Sequence, residues 1–256
     1  MNCRDVIERM GKDFPEEYAL EWDNVGLLAG RQKKEVERIY IALDAQEAIV
    51  EAAVESKADM LITHHPLIFS PVKQITDEDF IQRRIMKLLQ NDISYYVAHT
   101  NYDVLKMGEL AGEIFGLVNS QVLEMVTDEM GIGRVADLPQ EISLKECCRQ
   151  VRERFGLGPV RLFGEPEQRI KRVAISPGSG KSMIEAALAA GADVLITGDI
   201  GHHDGIDGLA RGLNVIDAGH YGLEYIFMDD MERYIKRSFP NIQVKKAETV
   251  HPFVTL

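Results

Sequence analysis

His64 and His65 stand side by side at the end of an apolar run, Ala58-Asp59-Met60-Leu61-Ile62-Thr63. Imidazole is a common metal ligand, and its proton exchanges near neutral pH. Six of the seven histidines fall at or just after expected strand ends: His64, His65, His99, His202, His203 and His220. One histidine so placed reads more readily as a hydrogen-bonded structural residue. Six at corresponding ends of parallel strands point to a site, because ligands of open α/β sheets bind beyond the carboxyl ends of the strands. Carboxylates accompany them. Asp103 lies four residues after His99, and Glu224 four after His220. On a helix that spacing puts both side chains on one face. Asp103 also suits a helix N-cap, and Glu224 without His220 would read as a solvated helix face. Histidine nitrogen with carboxylate oxygen suits zinc, manganese, iron(II) or nickel. A shared carboxylate also suits two metals ~3.5–4 Å apart that activate a water between them.

These residues are positioned by an internal repeat. Arg38–Thr63 matches Arg172–Thr197 at a constant offset of 134, pairing Ile39 with Val173, Ile41 with Ile175 and Ala53 with Ala187. Each copy reads as a β-branched run, a turn, an alanine-rich helix and a second apolar run, a β-α-β unit. Residues 96–102 then resemble 215–221 at an offset of 119. The first copy is therefore expected to carry about fifteen extra residues, placed between Ser70 and Phe80. The fold expected is α/β: two pseudo-symmetric β-α-β-containing halves, 1–123 and 124–256, with mainly parallel sheets flanked by helices. The metal site is expected at the strand C-terminal ends between the halves. Helices are expected over 4–14, 79–90, 103–117, 143–154 (Ser143 as N-cap) and 221–237. Strands are expected over 93–99, 214–217 and 242–254. The glycine- and proline-rich stretch 124–170 reads as a connector or small insert.

The net charge of −12 argues against a nucleic-acid footprint, which needs a basic surface. It leaves room for a local basic pocket or for acids gathered around metal. The three cysteines, Cys3, Cys147 and Cys148, imply no disulfide framework, so a cytoplasmic protein is expected. No apolar stretch approaches the ~18 residues of a membrane span. Ser179-Gly180-Lys181-Ser182 ends like a phosphate loop, but Ile175 stands where the first glycine is required. A plain tight turn is the favoured reading. Trp22, the only tryptophan, stands beside Asp23 and Asn24. Together they are either a packed aromatic with capping residues or a substrate-binding wall on which a planar base stacks.

Taken together, several motifs resemble the Ngg-interacting-factor-three-like family, also called the GTP cyclohydrolase I type 2 family. They are Glu21-Trp22-Asp23-Asn24-Val25-Gly26-Leu27, Thr63-His64-His65-Pro66-Leu67-Ile68-Phe69, His99-Thr100-Asn101-Tyr102-Asp103, Pro177-Gly178-Ser179-Gly180, Thr197-Gly198-Asp199 with His202-His203, and Gly219-His220-Tyr221 with Glu224. The length is that of the family's short form. The resemblance implies two divalent metal ions per subunit held by His64, His65, Asp103, His220 and Glu224. It assigns His65 and Asp103 to one metal, His64 and His220 to the other, and Glu224 to both. It also implies a ring-shaped homohexamer and a GTP substrate, opened at the guanine ring with release of formate and formation of 7,8-dihydroneopterin triphosphate.

In such chemistry a histidine outside the ligand set can shuttle a proton, and His99 and His202 are the candidates. Fold and site do not fix a substrate. A metal-dependent phosphoesterase and a non-catalytic metal-binding scaffold or regulatory protein remain the alternatives. Neither a nucleic acid nor a membrane is an expected partner.

Overall fold

The run that ends in His64 and His65 is a central strand of a sheet, buried along its whole length. In the computed structural model, which describes residues 1–251 and 253, the elements follow the chain in this order. They are α1 (Cys3–Asp13), β1 (Gly26–Ala29), β2 (Arg38–Ala42), α2 (Glu47–Glu55), β3 (Met60–Thr63), α3 (Phe80–Gln90) and β4 (Ser94–Val97). Then come α4 (Thr100–Tyr102), a π-helical turn (Asp103–Met107), α5 (Gly108–Phe115), β5 (Gln121–Met125), β6 (Gly131–Ser143), α6 (Leu144–Arg154) and β7 (Arg161–Phe163). The chain finishes with β8 (Arg169–Ser179), α7 (Met183–Ala189), β9 (Val194–Gly198), α8 (His202–Ala210), β10 (Asn214–Asp217), α9 (His220–Glu224), α10 (Ile226–Ser238) and β11 (Gln243–Lys246).

Two units result. The first holds Met1–Tyr102 and Phe227–Thr249; the second holds Asp103–Ile226 and, of the described residues, those after Thr249. This division differs from the expected one at 123/124, for two reasons. Helix α5 lies in the second unit, where Gly108 comes so close to Gly133 of β6 that a Cβ would lie 2.8 Å from its nitrogen. In addition, β11 returns to the first unit and pairs in parallel with β2.

In the first unit the sheet order is β1-β4-β3-β2-β11, parallel throughout except for the antiparallel edge strand β1. Asn2 caps α1 in a reciprocal capping box with Asp5, and Asp79 caps α3. In the second unit the order is β5-β6-β8-β9-β10-β7, with only β8-β9-β10 parallel. The expected connector 124–170 instead builds the antiparallel edges of this sheet: β6 pairs with β8, and β7 with β10. Two of its glycines, Gly131 and Gly133, mark close backbone approach rather than a loop. A Cβ on Gly131 would lie 2.0 Å from the Glu124 carbonyl, and one on Gly133 (φ +71°) 2.9 Å from that of Ile175. Ser143 caps α6 as expected, its Oγ accepting the Glu146 N–H.

The repeat holds at the level of register. Ile39 faces Met60 in one sheet and Val173 faces Val194 in the other, the same pair moved by 134. The connecting turns are pinned identically. Asp59 Oδ2 accepts the N–H groups of Glu37 and Arg38, and Asp193 Oδ2 those of Lys171 and Arg172. The third strand of each copy corrects the alignment: Ser94 faces Met60 and Asn214 faces Val194, an offset of 120 rather than 119. The first copy's surplus is thus fourteen residues (134 less 120), and it lies between β3 and α3, in a segment that overlaps the expected Ser70–Phe80 but begins before it. Residues 64–79 carry no helix or strand, whereas 199–201 suffice in the second copy. The last strand is shorter than expected and ends at Lys246; Val250 lies outside it, and residue 254 lies outside the described residues. No helix among the described residues is long and apolar enough to cross a membrane.

Candidate metal centre

In the first unit three histidines converge. Strand β3 ends at Thr63, and the following turn is fixed by the buried Tyr95 of β4. The Tyr95 hydroxyl lies 2.8 Å from Thr63 Oγ1 and accepts the Leu67 N–H at 2.8 Å. Burial keeps that phenol protonated far above the usual tyrosine range. His64 is fully buried, packed against the rings of Tyr102 and Phe227. The ring centroids of His64 and His65 are 5.0 Å apart, and those of His99 lie 5.1 Å and 5.5 Å from them. One ligand atom from each ring lies within 4.8 Å of the other two.

The other side of each ring shows how it is held. His64 Nδ1 is 2.8 Å from the Ala98 carbonyl, His65 Nδ1 2.8 Å from Asp44 Oδ1, and His99 Nδ1 2.9 Å from Asp23 Oδ1. A carbonyl or carboxylate can only accept. Each Nδ1 therefore carries a proton, and in the neutral ring Nε2 is then the nitrogen with the lone pair. Orientation of a ligating imidazole by an acceptor on its far nitrogen is the usual construction of a histidine metal site.

Asp23 thus orients His99 within the fold. Its side chain is buried, and it also accepts the Thr100 N–H at 3.0 Å and the Thr100 hydroxyl at 2.5 Å. Burial alone would raise its pKa, but the hydrogen bonds from His99 and Thr100 outweigh that and hold it at about 2. Asn24 donates from Nδ2 to the Ile68 carbonyl at 2.6 Å. Trp22 is 56% exposed, with its ring stacked on Phe69 and edge-on to His99.

In the second unit, His220 and Glu224 lie one turn apart on α9 as their spacing predicts, with Nε2 and Oε2 2.9 Å apart. That is hydrogen-bond or ion-pair distance, and it places a nitrogen and a carboxylate oxygen where one cation could take both. His220 Nδ1 is 2.9 Å from Asp199 Oδ2, the same pairing again. Glycine makes the room. A Cβ on Gly198 would lie 2.4 Å from the His220 nitrogen, and one on Gly178 2.6 Å from Glu224 Oε1. Asp217 steadies both loops, accepting the N–H groups of Ile200 and Gly219 while it pairs with Arg161.

Asp103 does not cap a helix. The helical path starts at Thr100, and Asp103 opens the π-helical turn at the head of the second unit. Such turns recur at functional sites. His202 and His203 sit exposed at the start of α8 with ring centroids 5.2 Å apart. Among the described residues neither joins a group of donors close enough for one ion.

Sequence reasoning missed Asp44 and Asp199. One signal was available: at the offset of 134, Asp199 occupies the position of His65. Asp44 carries no comparable mark.

The donor chemistry fits a divalent cation: oriented imidazoles, a buried carboxylate and, in these groups, no thiolate. Fold and donors together define an α/β protein with histidine–carboxylate groups at the carboxyl ends of its strands. The chain belongs to the Duf34/NIF3 (NGG1p interacting factor 3) family, whose sequence model matches residues 1–252. It is similar to the Clostridium perfringens protein named GTP cyclohydrolase 1 type 2 homolog, at 34% identity over 92% of each chain. The Streptococcus pneumoniae protein of the same name is 36% identical over 90% of this chain and 88% of its own. Among solved structures, Staphylococcus aureus protein SA1388 superposes with a TM-score of 0.89 at 28% identity, covering 100% of this chain and 99% of that one. Reduced HcgD from Methanocaldococcus jannaschii gives 0.82 at 29% identity, over 96% and 97%. The expected α/β fold with two related halves is the one these structures share.

Proposed function

We propose that the chain is a dinuclear metal-dependent hydrolase of the GTP cyclohydrolase type, with His64, His65, Asp103, His220 and Glu224 as its metal ligands. The observation that carries this reading is the shared pattern on His64, His65 and His220. In each, Nδ1 faces a fixed acceptor, so Nε2 is the nitrogen that a cation would take. Two divalent ions bound there would supply Lewis acidity and a nucleophilic water at neutral pH.

The chain's own residues do the rest. Asp44 and Asp199 hold the ligand rings in one tautomer. The ionised Asp23 does the same for His99, whose Nε2 accepts a proton beside the ligand histidines and returns it to the leaving group. His202 has no such support, and the proton-transfer role falls to His99. The substrate proposed is GTP, opened at its imidazole ring with carbon 8 leaving as formate. A cytoplasmic ring hexamer completes the reading.

The test is GTP turnover by chelator-free, metal-loaded protein, followed by the fluorescence of the oxidised pterin product. Formation of that product, abolished in His65→Ala, is expected. Bound metal with phosphate release and no pterin would assign the site to a phosphoesterase. Bound metal with no turnover would assign it to a scaffold.

A further inference from the structure

Two large aromatic rings are left in solvent beside the histidine group. Trp22 is 56% exposed and Phe69 53%, with ring centroids 5.6 Å apart and planes inclined by 30°. A folded chain gains by burying such rings, so a rigid exposed pair marks a contact surface. This pair is held from both sides. Asn24 ties the Trp22 segment to the carbonyl of Ile68, next to Phe69. Asp23 fastens the same segment to His99 and Thr100, and the Trp22 ring stands edge-on to His99 at 6.0 Å. From Phe69 a groove of about 500 Å³ continues along Leu67, Ile68, Pro71, Val72 and Lys73. Small-molecule sites commonly enclose ~300–1,000 Å³.

We propose that Trp22 and Phe69 form a stacking platform for the planar base of a nucleotide substrate, setting the base beside His99 with its phosphate tail along the groove at Lys73. The choice of occupant rests on the function proposed above. The platform itself rests on the two rings and their anchoring. Stacking on an aromatic face is tolerant of base identity, so the platform selects heteroaromatic bases as a class and the histidine side selects among them.

Trp22 is the only tryptophan, so its emission reports the platform directly. The metal-loaded full chain is titrated with GTP, guanosine and tripolyphosphate. Quenching by GTP and guanosine but not by tripolyphosphate is expected, as is a ~10-fold weaker guanosine affinity in Phe69→Leu, which keeps an apolar side chain at that position. GTP binding detected by calorimetry with unchanged Trp22 emission would overturn the platform, as would an unaltered affinity in Phe69→Leu. Emission that changes with protein concentration alone would assign the rings to contact between copies, and would also overturn it. Pterin formation without quenching removes the platform and leaves the cyclohydrolase reading. Quenching by guanosine without pterin does the reverse.

Discussion

Gly178→Ala tests the second unit's ligand geometry at a single atom. Gly178 has φ +84°, and an added Cβ would lie 2.6 Å from Glu224 Oε1. An L-residue in the left-handed region costs about 1 kcal/mol. The clash adds to this. To restore an ordinary contact of 3.4 Å the carboxylate must retreat by about 0.8 Å, and Glu224 is only 3% exposed, so its surroundings must yield with it. Overpacking of this kind costs about 1–3 kcal/mol, for a total of about 2–4 kcal/mol. Gly191→Ala is the matched control: φ is +67° and nothing lies within 4 Å of its added Cβ, so only the backbone cost of about 1 kcal/mol applies. Urea unfolding of the two chelator-treated variants should differ by the clash alone. Because the retreat disturbs the 2.9 Å spacing of His220 and Glu224, Gly178→Ala should also lose at least ~10-fold in metal affinity while Gly191→Ala loses none. Equal stabilities and equal metal retention in the two variants would refute the placement of Glu224 against Gly178.

Three further outcomes follow from the hydrogen bonds. Asp44→Ala removes the acceptor that orients His65 and should weaken metal binding ~10–100-fold in an equilibrium chelator competition; unchanged affinity would deny the pairing a role. Asp23 is held at about 2, below its unfolded value near ~3.9, so its contribution of about 2 kcal/mol is present above pH ~4 and fades as the pH falls through ~2. The gap in urea midpoint between wild type and Asp23→Asn should therefore narrow from pH 7 to pH 3, and a gap independent of pH would contradict the ionised, bonded carboxylate. Tyr95→Phe strands the Leu67 N–H behind the His64–His65 turn and should cost about 1–3 kcal/mol by urea unfolding, whereas a neutral effect would place that N–H in water.

Much of this arrangement is written locally. The 134-residue offset is legible because matching β-α-β units need matching apolar positions, and both sheets keep the register it implies. The His220–Glu224 pair is legible because i and i+4 share a helix face. The departures lie where distant chain decides. Gly131 and Gly133 look like loop residues until β5 and β8 are seen pressed against their backbones. Asp103 looks like an N-cap, but Asp23, distant in sequence, already accepts the Thr100 N–H at the start of that helix. The third-strand offset slipped by one because Ala98 and Ala218, which donate to the equivalent carbonyls of Thr63 and Thr197, sit in dissimilar surroundings. Asp44 is fixed as the partner of His65 only by the fold, since any acid in a turn reads alike in sequence.

The most direct measurement is the number of metal ions bound per chain, by mass spectrometry on untagged protein purified without chelator, for wild type, His65→Ala and His220→Ala. Two ions per wild-type chain and a reduced count in each variant are predicted. No tightly bound metal, or a count that neither substitution changes, would contradict a dinuclear centre built on these histidines.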